Sequence, residues 1–158
     1  MSLDLQSLID RVARLEEAEL ARNLLHAYAE ALDDPVPEEV AALFAEEGVL
    51  SVPAGDFTGR AAVAGFYRDR LAGASEKRHF IMNVRTRPQG PGLVEVASYF
   101  LFTSRDDHAS GLGWGTYLDL VEVEGGVARI RRKTITPHLA TDLDQGWAVT
   151  GTPAGPRS

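Results

Sequence analysis

Helical periodicity confined to the first half of the chain, and long β-branched and aromatic runs confined to the second, predict an α+β fold. Glycine- and proline-rich turns between the late runs suit a mixed, mostly antiparallel sheet with the helices on one face. Strong curvature of that sheet, with helices across its concave side, would give a cone-shaped α+β barrel enclosing a pocket.

The elements follow in order. Leu5, Leu8, Ile9, Val12 and Leu15 recur at helical spacing, as do Leu20, Leu24, Leu25, Tyr28 and Leu32. Asp33, Asp34, Pro35 and Pro37 break the run, because proline blocks helix continuation. Pro37 followed by Glu38 and Glu39 suits a new helix start, and a short helix is expected over 37–46, stopped by Gly48. A short strand is expected over 49–53, then a turn at Ala54-Gly55-Asp56. Thr58 or Gly59 is placed to cap a third helix over 60–71. Gly73-Ala74-Ser75 reads as a loop. Strands are then expected over 78–87, 93–104, 112–124 and 127–136. Pro88 to Gly92 supplies one turn, and Gly125-Gly126 closes a hairpin. Periodicity is lost from Pro137 onwards.

The 158 residues fit one domain, expected over 1–150, with a tail over 151–158. Lys and Arg number 16 against 23 Asp and Glu, a net charge of −7, which disfavours nucleic acid as a partner. Hydrophobic residues at 44% and charged residues at 25% argue against disorder. The chain has no cysteine, so disulfides, thiolate metal sites and a cysteine nucleophile are excluded. The opening MSLDLQSLIDRVARLEE is unlike a signal peptide, and no apolar run approaches the ~20 residues of a membrane span. The expectation is a cytoplasmic protein with no membrane partner.

Several segments together carry a family resemblance. Tyr28-Ala29-Glu30-Ala31-Leu32-Asp33 and Leu43-Phe44-Ala45-Glu46-Glu47-Gly48-Val49 resemble the opening of SnoaL-like proteins of the nuclear transport factor 2-like superfamily. Phe57-Thr58-Gly59-Arg60 with Phe66-Tyr67 resembles the segment around their third helix. Arg78-His79-Phe80-Ile81-Met82-Asn83-Val84, Gly115-Thr116-Tyr117-Leu118-Asp119-Leu120 and Ile130-Arg131-Arg132-Lys133 resemble three of their strands. Scytalone dehydratase-like and hexachlorocyclohexane dehydrochlorinase-like members use a His–Asp pair within the cone, and Asp33 and His79 match its two positions. The second pocket histidine of scytalone dehydratases has no counterpart on the strand over 93–104. Lys133 is the nearest match to a cation that the dehydrochlorinase-like enzymes carry on the last strand.

The chemistry of such a pair follows from its groups. Histidine titrates near neutrality, and a carboxylate on one ring nitrogen fixes the tautomer and supports the imidazolium formed on proton abstraction. Asn83 lies four residues after His79, on the same face of a regular strand, where its amide would polarise a carbonyl. Tyr28, five residues before Asp33, would donate a hydrogen bond to an oxyanion. Tyr117, Trp114, Phe100 and Phe102 are expected as pocket wall. Asp106-Asp107-His108 lacks metal-ligand spacing, so no metal is expected. Gly111-x-Gly113-x-Gly115 opens a strand rather than a helix and is no dinucleotide fingerprint.

Two function classes stay open. One is a cofactor-free lyase or isomerase acting on a small cyclic compound of polyketide, steroid or aromatic type, dehydration slightly favoured, with His79 as base, Asp33 as orienting group and Tyr28 or Asn83 on the oxyanion. The other is a non-catalytic ligand-binding or structural protein, because the strand around His79 is also similar to the small subunits of ring-hydroxylating dioxygenases. A hydrophobic small molecule and a second copy of the chain are the expected partners. The homodimer is expected through the outer faces of the strands over 93–104 and 127–136.

Overall fold

The computed structural model describes residues 4–71, 76–106 and 109–145. Helix α1 (Leu5–Asp33) starts where the Asp4 carboxylate accepts the Gln6 N–H at 2.7 Å, a side-chain N-cap. The two helical runs of the sequence are thus one helix, with unequal halves. Leu24, Leu25, Tyr28 and Leu32 are buried, whereas Leu5, Leu8, Ile9, Val12 and Leu15 are exposed.

Helix α2 (Pro37–Ala42) is shorter than its pattern suggests. Strand β1 (Phe44–Val52) begins where the helix was expected to continue. Parallel pairing with the last strand claims these residues, first Phe44 with Ile130 and, after a bulge, Val49 with Arg132. Gly48 sits in that bulge and is not a helix stop: a Cβ there would come within 2.7 Å of the Ile130 carbonyl oxygen. The expected turn at Gly55 opens a short strand, β2 (Gly55–Thr58), antiparallel to β1. Helix α3 (Arg60–Arg70) follows Gly59, whose φ of 82° suits glycine. The expected loop at 73–75 lies outside the described residues, except that strand β3 (Glu76–Gly90) begins directly after it.

Strands β4 (Leu93–Arg105), β5 (Ser110–Glu124) and β6 (Val127–Asp142) complete a six-stranded sheet in the order β2-β1-β6-β5-β4-β3. Among the described residues only β1 and β6 run parallel. The edge strands β2 and β3 do not pair, so the cone stays open rather than closing as a barrel. Gly125 and Gly126 turn the β5–β6 hairpin at φ of 57° and 77°. Strand β6 runs past Pro137, where periodicity fails, because the register slips between Gly115↔Pro137 and Trp114↔Leu139.

The sheet's two faces separate by strand alternation. Val94, Val96, Phe100, Tyr117, Val121, Ala128 and Ile130 face the helices and form the core with Leu24, Leu25, Tyr28, Val40, Val63 and Tyr67. Phe80, Met82, Tyr99 and Leu118 lie on the opposite face and are exposed. Among the described residues no helix is long and apolar enough to cross a membrane.

Candidate functional site

Asp33 ends α1 just as the prolines halt the helix, and the helix end meets the edge strand β3. Its Oδ1 accepts the backbone N–H of His79 at 2.8 Å and lies 3.0 Å from Nδ1 of the same residue. That N–H points off the sheet, because β3 is an edge and β4 occupies its other side. One carboxylate therefore holds both the backbone and the ring of His79. An Nδ1–H donated to Asp33 leaves the lone pair on Nε2, the form a general base requires. The His79 side chain is 11% exposed and that of Asp33 26%. Burial lowers the His79 pKa from its ordinary 6.5; the Asp33 hydrogen bond and charge oppose the shift, and the Lys77 charge reinforces it. The imidazole is therefore neutral at neutral pH.

The concave face beside His79 is a ladder of rungs. Phe102 pairs with His79, with ring centroids 6.0 Å apart at 32°. Phe100 lies one rung deeper and stacks on Tyr117, with centroids 4.4 Å apart at 19°. Gly113 stands opposite Phe102 and Gly115 opposite Phe100. A Cβ at Gly113 would come within 2.4 Å of the Phe102 ring, and one at Gly115 within 2.8 Å of the Phe100 ring. The alternating glycines thus let two aromatic rings lie flat on the sheet. Their period of two against Phe100 and Phe102 was the sequence signal for this floor.

Phe100, Phe102 and Tyr117, expected as pocket wall, face the interior, and of the three Phe102 pairs with His79. Four other expected site residues lie away from His79. Tyr28, expected to donate to an oxyanion, is wholly buried: its hydroxyl shares a hydrogen bond with that of Tyr67, and its ring packs edge-on against Phe44, Tyr67 and Tyr117. Burial pushes its pKa well above 10, so it stays protonated. Lys133 is also enclosed. Its Nζ donates to Asp119 Oδ1 at 3.0 Å and Oδ2 at 2.9 Å and lies 4.0 and 3.8 Å from the ring centroids of Tyr28 and Tyr117. Trp114 projects from the outer face, one residue out of phase with the inward Gly113 and Gly115. Asn83 does not share the face of His79, because β3 carries a bulge: Met82 pairs with Tyr99, but the next pair is Arg85 with Ala97. Asn83 occupies the bulge at φ 54°, exposed, in an outer-face hollow of about 340 Å³ with Met82, Tyr99, Leu101 and Trp114.

Asp119 and Tyr67 carry no role predicted from sequence, although both fall within the motifs that resemble the family. Burial drives the Asp119 pKa up and the Lys133 pKa down, and each charge opposes the other's shift. With Tyr28, Tyr67, Phe100 and Tyr117 they fill the depth of the cone. On the concave face His79 and Phe102 remain partly exposed. A hollow of about 490 Å³ lies along α3 beside Phe57 and Phe66, and one of about 210 Å³ lies at the strand ends, one rung out from His79 and Phe102, around Lys77, Ser104, Gly111 and Leu143. Among the described residues no three metal-ligating side chains gather.

No curated protein matches the chain. Solved structures do match. A protein of Novosphingobium aromaticivorans assigned provisionally as a scytalone dehydratase is 24% identical over 94% of this chain and 99% of its own, with a TM-score of 0.76. LinA is 16% identical over 93% and 99%, with a TM-score of 0.75. ActVI-ORFA of Streptomyces coelicolor is 18% identical over 75% and 95%, with a TM-score of 0.63. At these identities the likeness is one of fold. The SnoaL-like domain profile matches residues 13–134, which take in α1 from its third turn, α2, α3 and most of the sheet, so the chain belongs to the SnoaL-like domain family, with its nuclear transport factor 2-like cone fold.

Proposed function

We propose that this protein is a cofactor-free lyase or isomerase acting on a small cyclic compound of polyketide, steroid or aromatic type, with His79 as general base and Asp33 as the carboxylate that orients it. The observation that carries the reading is the double hold of one Asp33 oxygen on His79, at 2.8 Å to the backbone nitrogen and 3.0 Å to Nδ1. Nε2 takes a proton from carbon next to a carbonyl. The C–H electron pair becomes a C=C bond and the carbonyl π pair moves to oxygen. Collapse of this enolate can expel a β-hydroxyl, which leaves as water with the proton returned from Nε2, a dehydration. Return of the proton to a different carbon gives an isomer instead. Dehydration is slightly favoured, in keeping with the scytalone dehydratase assignment of a structural neighbour. Phe102, beside the base, supplies a flat apolar surface for a ring.

The reading includes a cytoplasmic homodimer, supported by the apolar outer face at Phe80, Met82, Tyr99 and Leu118. The test is a panel of aromatic and polyketide compounds screened by native mass spectrometry, followed by turnover of those that bind. His79→Ala and Asp33→Asn are expected to lower turnover by ~10²-fold or more with the melting temperature little changed. Equal turnover by wild type and His79→Ala would overturn the reading.

A further inference from the structure

Proton abstraction next to a carbonyl leaves negative charge on oxygen, and that charge needs a partner. Tyr28 is sealed in the core and Asn83 points away, so neither meets an oxygen held beside His79. One rung out from the His79–Phe102 pair lie Lys77 and Ser104, paired across β3 and β4. Both share the face of His79 and Phe102, because strand alternation is unbroken between 77 and 79 and between 102 and 104. Residues two apart on a strand lie about 6.6 Å apart, within reach of a lysine side chain. Gly111 stands opposite Ser104, where a Cβ would come within 2.7 Å of Ser104 Oγ. The third glycine of the alternating run thus makes room for this hydroxyl, as the other two do for rings. Both side chains are partly exposed, and among the described residues neither the Lys77 ammonium nor the Ser104 hydroxyl makes a hydrogen bond or ion pair. Nearby cations pair differently: Arg78 and Arg105 project from the opposite face and bind Glu76.

Resting on the proposed proton abstraction, we infer that Lys77, with Ser104 beside it, forms the oxyanion end of the site, so that the substrate is a planar cyclic carbonyl compound whose ring lies on Phe102 and whose oxygen meets the Lys77 ammonium. The base and the cation then act on the two ends of one enolising unit, His79 on the C–H and Lys77 on the oxygen. The cation is not a counter-ion to the base: Asp33 already fills that place.

The test uses 4-nitrophenolate as a planar mimic of an enolate and 4-nitroanisole as its neutral counterpart, titrated into the whole protein at a pH where the phenol is ionised. The phenolate is expected to bind about 10-fold or more tightly than the ether, as for a hydrogen bond to a charged group. Lys77→Met should abolish that preference, Lys77→Arg should keep most of it, and Ser104→Ala should reduce it. Lys77→Met should also raise the pKa of the His79 ring, followed by NMR, since the lysine charge depresses it. Failure of the phenolate to bind more tightly than the ether, or a preference that survives in Lys77→Met, overturns the inference. Neither result touches the role of His79 as base, which is decided by the turnover of His79→Ala.

Discussion

Two opposing influences act on the protonation of His79. Burial favours the neutral ring and Asp33 favours the cation, and burial prevails. The pH consequence has a definite sign. In the unfolded chain the ring protonates as pH falls through about 6.5, while in the folded protein it stays neutral to lower pH. The unfolded state then binds more protons, so this group's contribution to stability is present above about 6.5 and falls as pH drops below it. Urea denaturation between pH 5 and pH 8 should show that loss in wild type and a smaller one in His79→Gln. The rate should follow the same group: kcat/KM is expected to be level above pH 6.5 and to fall only below it, on an acid limb set by the depressed pKa. Lys133 presents the opposite case, a charge enclosed with its partner. Lys133→Met should destabilise the protein by ~3–5 kcal/mol, because Asp119 is left buried and unpaired. Adding Asp119→Leu should recover most of that loss, as read by urea midpoints.

At the scale of elements, strands β4 and β5 are matched rung by rung, with Ser104, Phe102 and Phe100 facing Gly111, Gly113 and Gly115. Gly113→Ala should cost about 1–3 kcal/mol, because its methyl enters the space of the Phe102 ring, and it should shift the aromatic signals of Phe102 and His79 in NMR spectra. The long strands were legible because turns and β-branched runs are local signals. The boundary at Phe44 was not. Val40, Leu43 and Phe44 continue a helical pattern, yet Phe44 pairs with Ile130, 86 positions later in the chain. The Leu43 carbonyl likewise accepts the Ile130 N–H at 2.9 Å, drawing the chain into the sheet before the helical pattern ends.

For the whole molecule, one sheet serves two environments. Its inner face is covered by α1, α2 and α3, while Phe80, Met82, Tyr99 and Leu118 on the outer face are each between 41% and 50% exposed. Sheet-to-sheet association of two copies would cover them. Light scattering at micromolar concentration is expected to give twice the chain mass of 17.1 kDa. The double variant Tyr99→Lys/Leu118→Lys, which changes only exposed positions, should return the protein to monomer with its circular dichroism unchanged.

The fold class, the order of helices and long strands, and the family were legible in the sequence, because they rest on local periodicity, turn chemistry and motif order. The sequence also pointed to Asp33 and His79, through motif positions alone. Which side chains share a face became visible in the folded chain alone. Alternation along a strand has a period of two, so the single extra residue at the β3 bulge turned Asn83 away from His79, a shift that residue counting does not detect. Likewise, no local pattern distinguishes a lysine that meets substrate from one that is sealed inside. Lys133 is buried because Asp119 faces it across β5 and β6 with two tyrosine rings around it, while Lys77 remains accessible because its rung ends at a serine and a glycine.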